Sequence, residues 1–498
     1  MNLTDHSQSS SELSTLAHDT LRKALEINMD RRRYGTFAEI GAGQEVVRWF
    51  FHAGGAAGTV AKSISAYDMS VSDAIYGKTQ RYVSRDRLQS MLDYEQRLNL
   101  SRLGDRAETS ALFVFADTVA TRAYHDRQEG RGWMGVKFQA HPRDQDSQIV
   151  LHLRMLDRHS AQQQEALGIV GVNLLYGAFF HYYEPEALLR SLLDGLSTDR
   201  VEIDMIEFSG IEFRYVDNRM MSLRLVELGF SDAAMFAPTG QTLQPSDVLH
   251  NRAVLVERGS FRPVTNVHMD MLQLARRKFR EHIRTRSRPE PASAPASAPP
   301  REPLELMEIT MHNLLTSATG GTVDPKDFLA RADMLAACGQ TVLISNYSEF
   351  YRLSGYLTRY TRMPVAMVMG AASLRDLFDE KYYRDLEGGI LESFGRLFKN
   401  DHKLYIYPWL DPATGQLTTM ENLAVAPSLC PLYGYLVGRG FIEPLENYHQ
   451  DYLPMFSSAV LEKIKQGDSA WVGMVPPPVA ELIQKRALLS FRPPTGGS

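Results

Sequence analysis

Between Arg284 and Pro303 the chain reads RTRSRPEPASAPASAPPREP, and this stretch limits the possible folds more than any other, because Pro, Ala and Ser displace every core-forming residue. Such a segment acts as a semi-extended spacer, and 498 residues are too many for one ordinary core. The expected organisation is a helical tail over residues 1–30, a mixed α/β domain over 31–283, the linker 284–303, and an α/β Rossmann-like domain over 304–498.

In the C-terminal part, TVLIS (Thr341–Ser345), VAMVM (Val365–Met369) and LYIY (Leu404–Tyr407) are short apolar runs alternating with helical spacing over Ser348–Tyr360, Leu374–Tyr383 and Ile390–Phe398. Continuous apolar strands between amphipathic helices call for a doubly wound parallel sheet covered on both faces. Ligands bind such sheets at the carboxyl ends of the strands, which places Ser345, Asn346 and Gly370 at the expected mouth. The N-terminal part is more mixed. Strands are expected at Ala38–Ile40, Val60–Tyr67, Ala111–Ala116, Val201–Phe208, Ala234–Phe236 and Ala253–Glu257, and a hairpin joins Trp133–Ala140 to Ile149–Leu156. Helices are expected at Ser10–Met29, at 163–183, at Glu186–Leu196 and from Val267 onward. The fold class is therefore α/β with two domains.

Net charge is −5, which gives no pull toward nucleic acid or an anionic membrane. The basic run Arg276–Arg288 reads as a solvated helix face whose cations suit a helix C-terminus. The two cysteines, Cys338 and Cys430, sit in no metal-ligand or disulfide spacing, so a reducing cytoplasmic setting without a structural metal is expected. The first thirty residues lack the apolar core of a secretory signal, and the most apolar run, Leu167–Tyr183, is broken by Asn173 and His181 and reads as a buried helix.

Candidate chemistry gathers at four places. In YGTFAEIGAGQEVVRWFFH (Tyr34–His52) an apolar strand turns on glycines into a helix, a frequent way to receive a phosphate or a nucleotide cofactor. Glu202 and Asp204 stand two apart on a strand and so share a face, where paired carboxylates divide acid and base roles or hold a divalent ion. Asp117 and His125 in FADTVATRAYH are a second acid–base candidate. Arg258, Ser260 and Arg262 surround Gly259 at a strand end, with guanidiniums suited to an anionic group. There is no G-x-S-x-G elbow, P-loop or H-E-x-x-H, which argues against those familiar hydrolases.

The segment FAEIGAGQE resembles motif I of class I S-adenosylmethionine-dependent methyltransferases, which places an acidic residue two before the first glycine of GxGxG. Glu39, Gly41 and Gly43 match, and Glu45 holds the third glycine position. The resemblance implies that Glu39, Gly41, Gly43 and Asp68 hold the adenosine part of a cofactor, with Asp68 on the ribose. Over both domains, GTFAEIGAGQEVVRWFF, GVNLLYGAF, RGSFRPVT, GQTVLISNYSEFYRL and GGILESFGRLF are similar to a largely uncharacterised family of bacterial proteins about as long as this chain. Its members carry names that vary between nicotinate-mononucleotide adenylyltransferase and TonB-dependent receptor. Adenylyltransferases of that type use H-x-G-H and I-S-S-T-x-x-R elements. Here His52-Ala53-Gly54-Gly55 and Ile344-Ser345-Asn346-Tyr347 depart from both.

Residue types and resemblance together lead us to expect a cytoplasmic group-transfer enzyme that binds a nucleotide-containing cofactor or substrate, with S-adenosylmethionine or a nucleotide as the ligand. The alternative is a non-catalytic homo-oligomeric assembly protein, because Trp49, Phe50 and Phe51 cover more than one face of a single helix.

Overall fold

The computed structural model describes residues 19–122, 129–286, 302–316 and 321–492. Residues 1–18 of the tail, His125, and residues 287–301 of the spacer lie outside them. The chain divides into two compact units, Met1–Asp232 and Ala233–Ser498.

The first unit is built on a six-stranded sheet of β1 (Arg33–Gly41), β2 (Val60–Ala66), β3 (Ala111–Ala120), β4 (Gly130–Phe138), β5 (Ser147–Met155) and β6 (Val201–Gly210). The order is β2-β1-β3-β4-β5-β6, parallel among the first three strands and antiparallel from β3 onward. Alternation along β1 and β3 sorts the two faces. Phe37, Phe113 and Phe115 meet Phe50 and Phe179, from the helices Val46–Ala53 and Ser160–Phe180. Ala38, Ile40, Val114 and Ala116 pack on Leu88, Met91 and Leu92 of the helix Arg85–Arg102.

The second unit carries an eight-stranded sheet of β7 (Ala233–Phe236), β8 (Thr242–Leu243), β9 (Val254–Arg258), β10 (Leu304–Thr310), β11 (Thr341–Ser345), β12 (Val365–Gly370), β13 (Lys403–Tyr407) and, after a small hairpin of β14 (Trp409–Leu410) and β15 (Leu417–Thr418), β16 (Ile442–Pro444). The order is β16-β13-β12-β9-β10-β11-β7-β8. The six strands from β16 to β11 run parallel, whereas β7 and β8 close one edge antiparallel. Helices cover both faces. Val254, Val256, Met367 and Leu404 pack with Leu353, Leu357 and Phe394 on one side. On the other, Phe236 meets Phe328 and Tyr405 meets Phe279.

The spacer does not divide these units. Leu304–Glu308 lie in parallel register with Val254–Arg258, so the strands before and after the spacer are neighbours in one sheet. A parallel pair needs a long crossover, and residues 259–303, including the helix Asn266–Arg286, form it. The boundary therefore lies at 232/233 instead of in the linker, and residues 233–283 belong with the C-terminal sheet.

Candidate functional site

In the second unit β9 is the first parallel strand, and the strands that follow it are laid down on both sides, β10 on one and β12 on the other. That reversal is a topological switch point, where the loops leaving the strand ends part and open a crevice. A cleft of about 580 Å³ lies there. It is lined by Glu257 and Arg258 of β9, Thr310 of β10 and Gly370 of β12, together with His268 and Met271 from the start of Asn266–Arg286 and Phe350, Tyr382 and Tyr383 beyond the strand ends.

Glu257 is the unusual group. It is 1% exposed, and neither carboxylate oxygen has a hydrogen-bond partner among the described residues. Its cross-strand neighbours are apolar, Met307 on β10 and Val368 on β12. Burial alone pushes the carboxyl well above its ordinary range and so favours its neutral form. His268 is likewise neutral, lowered to about 4 by burial, while its Nδ1 accepts from the Thr265 amide at 3.0 Å.

Arg258 points to the opposite face of β9 and is already engaged. Its Nε and Nη2 donate to Glu308 at 2.8 and 3.0 Å, its Nη1 donates to the Ser348 carbonyl at 2.7 Å, and its guanidinium lies 4.3 Å from the Phe350 ring centre. Glu308 is fully buried and also accepts from Ser345 Oγ at 2.5 Å. Arg262 donates to Asp327 at 2.5 Å, and the Ser260 carbonyl accepts from Arg331. The three residues expected to bind an anion together thus diverge, and only Arg258 faces the cleft, with its charge balanced by Glu308. Of the expected mouth, Gly370 lines the cleft, Ser345 supports Glu308, and Asn346 is exposed.

In the first unit the glycine turn closes on the protein itself. Glu39, 2% exposed, accepts from the Val46 and Val47 amides at 2.8 and 3.3 Å, the position at the helix start where an anion would otherwise sit. A Cβ on Gly43 would lie 2.1 Å from Asp117 Oδ1, and one on Gly41, whose φ is +75°, 2.4 Å from the Val119 carbonyl oxygen. Both glycines therefore have a reason within the fold. Glu39 and Asp117 are register partners on β1 and β3, and two buried carboxyls side by side cannot both ionise cheaply. Burial raises Glu39 to about 7, and burial together with Glu39 raises Asp117 well above its usual value. Asp68 is an exposed helix cap, accepting from the Ser70 and Val71 amides.

Glu202 and Asp204 are both held by β5. Arg154 binds Glu202, which also accepts from Ser231 at 2.8 Å, and His152 Nδ1 lies 2.6 Å from Asp204. The register of β5 and β6 slips at this point and makes Asp204 a bulge residue. Among the described residues no cluster of His, Cys, Asp or Glu is arranged to hold a metal ion.

The cleft opens at the carboxyl ends of the strands and includes the expected Gly370, but Glu257 was not among the expected residues. The signal was available, since Glu257 stands two residues before Gly259 just as Glu39 stands two before Gly41.

No family model matches the chain, and no curated protein matches it. Solved structures give weak likenesses to competence/damage-inducible proteins. One is the protein CihA from Agrobacterium tumefaciens, at 16% identity and a TM-score of 0.25 over 32% of this chain and 93% of that one. A CinA superfamily protein from Enterobacter cloacae matches at 13% identity and 0.23 over 33% and 91%. A competence or damage-inducible protein from Enterobacter asburiae matches at 12% and 0.22 over 32% and 97%. Likeness at this level carries no argument about activity. No helix among the described residues is long and apolar enough to cross a membrane.

Proposed function

We propose that the switch-point cleft of the second unit binds a nucleoside-containing cofactor or substrate, and that the protein is a cytoplasmic group-transfer enzyme. The observation that carries this reading is the cleft itself, with aromatic and methionine side chains and a residue whose carboxyl is buried and unpaired among those that line it. Polar groups without partners are rare in folded proteins, and one beside a cleft at this topological position is a group kept for a ligand.

Charge favours methyl transfer over nucleotidyl transfer. Glu349 and Asp376 line the cleft beside Glu257, whose burial favours the uncharged form, while the positive charge of Arg258 is cancelled by Glu308. A triphosphate would meet carboxylates without a free cation, whereas the sulfonium of S-adenosylmethionine suits an acid-biased wall.

The test is thermal unfolding of the full chain with S-adenosylmethionine, ATP, NAD or nicotinate mononucleotide. A ligand at 100 times its Kd stabilises by about 2.7 kcal/mol, a clear rise in Tm. Stabilisation by S-adenosylmethionine is the expected result, stabilisation by ATP alone would favour nucleotidyl transfer, and none by any of the four would refute the proposal.

One observation favours the assembly reading. Phe51 is 53% exposed, and Leu25 and Met29 of the helix over 19–29 are 41% and 59% exposed. Asn28 joins the two helices by donating to the Phe50 and Gly54 carbonyls. Light scattering coupled to size exclusion tests it, since a monomer would leave that apolar surface without an assembly role.

A further inference from the structure

Glu257 is singular among the acids of the cleft. Asp376 is exposed, and Glu349 reaches Arg352 at 3.1 Å, so both keep water or a cation. Glu257 has neither. It lies on the face of β9 that alternates away from Val256 and Arg258, flanked by Met307 and Val368, and shares the cleft with Val267, His268 and Met271. Phe350, Tyr382 and Tyr383 supply flat surfaces in the same cavity, dimensions and chemistry that suit a heteroaromatic ring.

Resting on the nucleoside-binding reading above, we propose that Glu257 reads the heterocycle of the ligand, recognising an edge that carries a hydrogen-bond acceptor beside an N–H donor, as the ring nitrogen and amino group of an adenine-type base do. A neutral carboxyl offers one O–H donor and one carbonyl acceptor in a plane, the complement of that edge. Burial without a counter-charge raises this carboxyl and favours its protonated form. Because it is out of water before any ligand arrives, a base that pairs with both oxygens gains two hydrogen bonds without desolvating the acid. A ring with an acceptor but no neighbouring donor would leave the carbonyl oxygen unsatisfied, and a site built this way rejects such an analogue strongly.

The experiment is isothermal titration calorimetry of the full chain, as wild type, Glu257→Gln and Glu257→Leu, with adenosine, with purine riboside (the same nucleoside without its amino group) and with S-adenosylmethionine. Wild type is expected to bind adenosine roughly 10–100-fold more tightly than purine riboside. Glu257→Gln presents the same donor and acceptor and is expected to stay within about 3-fold of wild type. Glu257→Leu is expected to weaken adenosine roughly 10–100-fold and to lose the discrimination. Circular dichroism checks that each variant is folded. Equal affinities of wild type for the two nucleosides, or full adenosine affinity in Glu257→Leu, would overturn the inference while leaving the cleft reading intact. Loss in Glu257→Gln as deep as in Glu257→Leu would also overturn it, since an ionised carboxylate holding a cation would then be the active form. Failure of adenosine and S-adenosylmethionine alike to bind wild type would overturn the inference, and failure of ATP, NAD and nicotinate mononucleotide as well in the thermal test would remove the nucleoside reading beneath it.

Discussion

Raising the pH should loosen the first unit through the Glu39–Asp117 pair, and Asp117→Asn should relieve part of that loss. Glu39 rises from an ordinary 4.5 to about 7 in the folded state, and Asp117 is raised as well. Between its unfolded and folded values the native chain holds a proton that the unfolded chain has released, so stability is full at low pH and falls as pH climbs through that window. At 1.36 kcal/mol per unit, Glu39 alone accounts for a loss of about 3 kcal/mol on passing from pH 4.5 to 7, and Asp117, raised as well, adds its own loss over the same range. Asparagine cannot ionise, is nearly isosteric with the protonated acid, and removes the carboxyl facing Glu39. Native-state hydrogen exchange of the β1 and β3 amides in urea, corrected for intrinsic exchange at each pH, reads the opening free energy directly. Wild type should lose more than about 3 kcal/mol across the window, because both carboxyls contribute, and Asp117→Asn, left with Glu39 alone, about 3 kcal/mol or less. Glu257 titrates in the same sense, but it is common to both proteins and cancels in the comparison. Parallel slopes in the two proteins, or a wild-type stability that rises with pH, would refute the reasoning.

Gly43→Ala should cost the first unit about 2 kcal/mol or more by urea unfolding, because its Cβ would fall 2.1 Å from Asp117 Oδ1 and one of the two must move. Arg258→Ala should destabilise the second unit by about 3–5 kcal/mol, since it strands the fully buried Glu308 without its bidentate partner. Arg262→Ala, whose partner Asp327 keeps Arg331, should cost under about 1 kcal/mol in the same assay. Unchanged ligand affinity in both folded arginine variants would exclude a shared anion-binding role for them.

Segments whose local pattern decides their structure were legible. β11 spans Thr341–Ser345 as read from TVLIS, and the hairpin appears as β4 and β5 with Phe138 opposite Ser147. Continuous apolar runs buried on two faces leave little choice. The helix Arg85–Arg102 was not legible, because Arg87, Glu95, Gln96 and Asn99 are buried on it alongside Leu88, Met91 and Leu92, which blurs the apolar stripe. Nor was the pairing of β9 with β10, since a register across residues 259–303 is a long-range fact that composition opposes: the spacer reads as a border and lies within a crossover. At the sites, the sequence showed which residue types lay at strand ends but not their partners. Glu202 and Asp204 read as a free acidic pair, and their partners Arg154 and His152 sit on a different strand.

The two Glu-x-Gly strand ends make the same local sequence yield opposite energetics, and the contrast is testable. Glu39 ends its strand against the start of Val46–Ala53 and satisfies two backbone amides, whereas Glu257 ends its strand against methionine and valine with no described partner. Glu39→Leu would strand those amides in the interior, at about 1–3 kcal/mol each, and should lower the stability of the first unit. Glu257→Leu exchanges an unsatisfied buried acid for an apolar side chain of similar size and should raise the ligand-free stability of the second unit by about 1–3 kcal/mol, even as ligand affinity falls. Urea unfolding of both variants without ligand measures the two signs. A destabilised Glu257→Leu would mean that the carboxyl is satisfied within the fold, and the case for a ligand-binding role would fall with it. A stabilised one would show the second unit carrying a strained acid at its switch point, the trade of stability for recognition that a binding site requires.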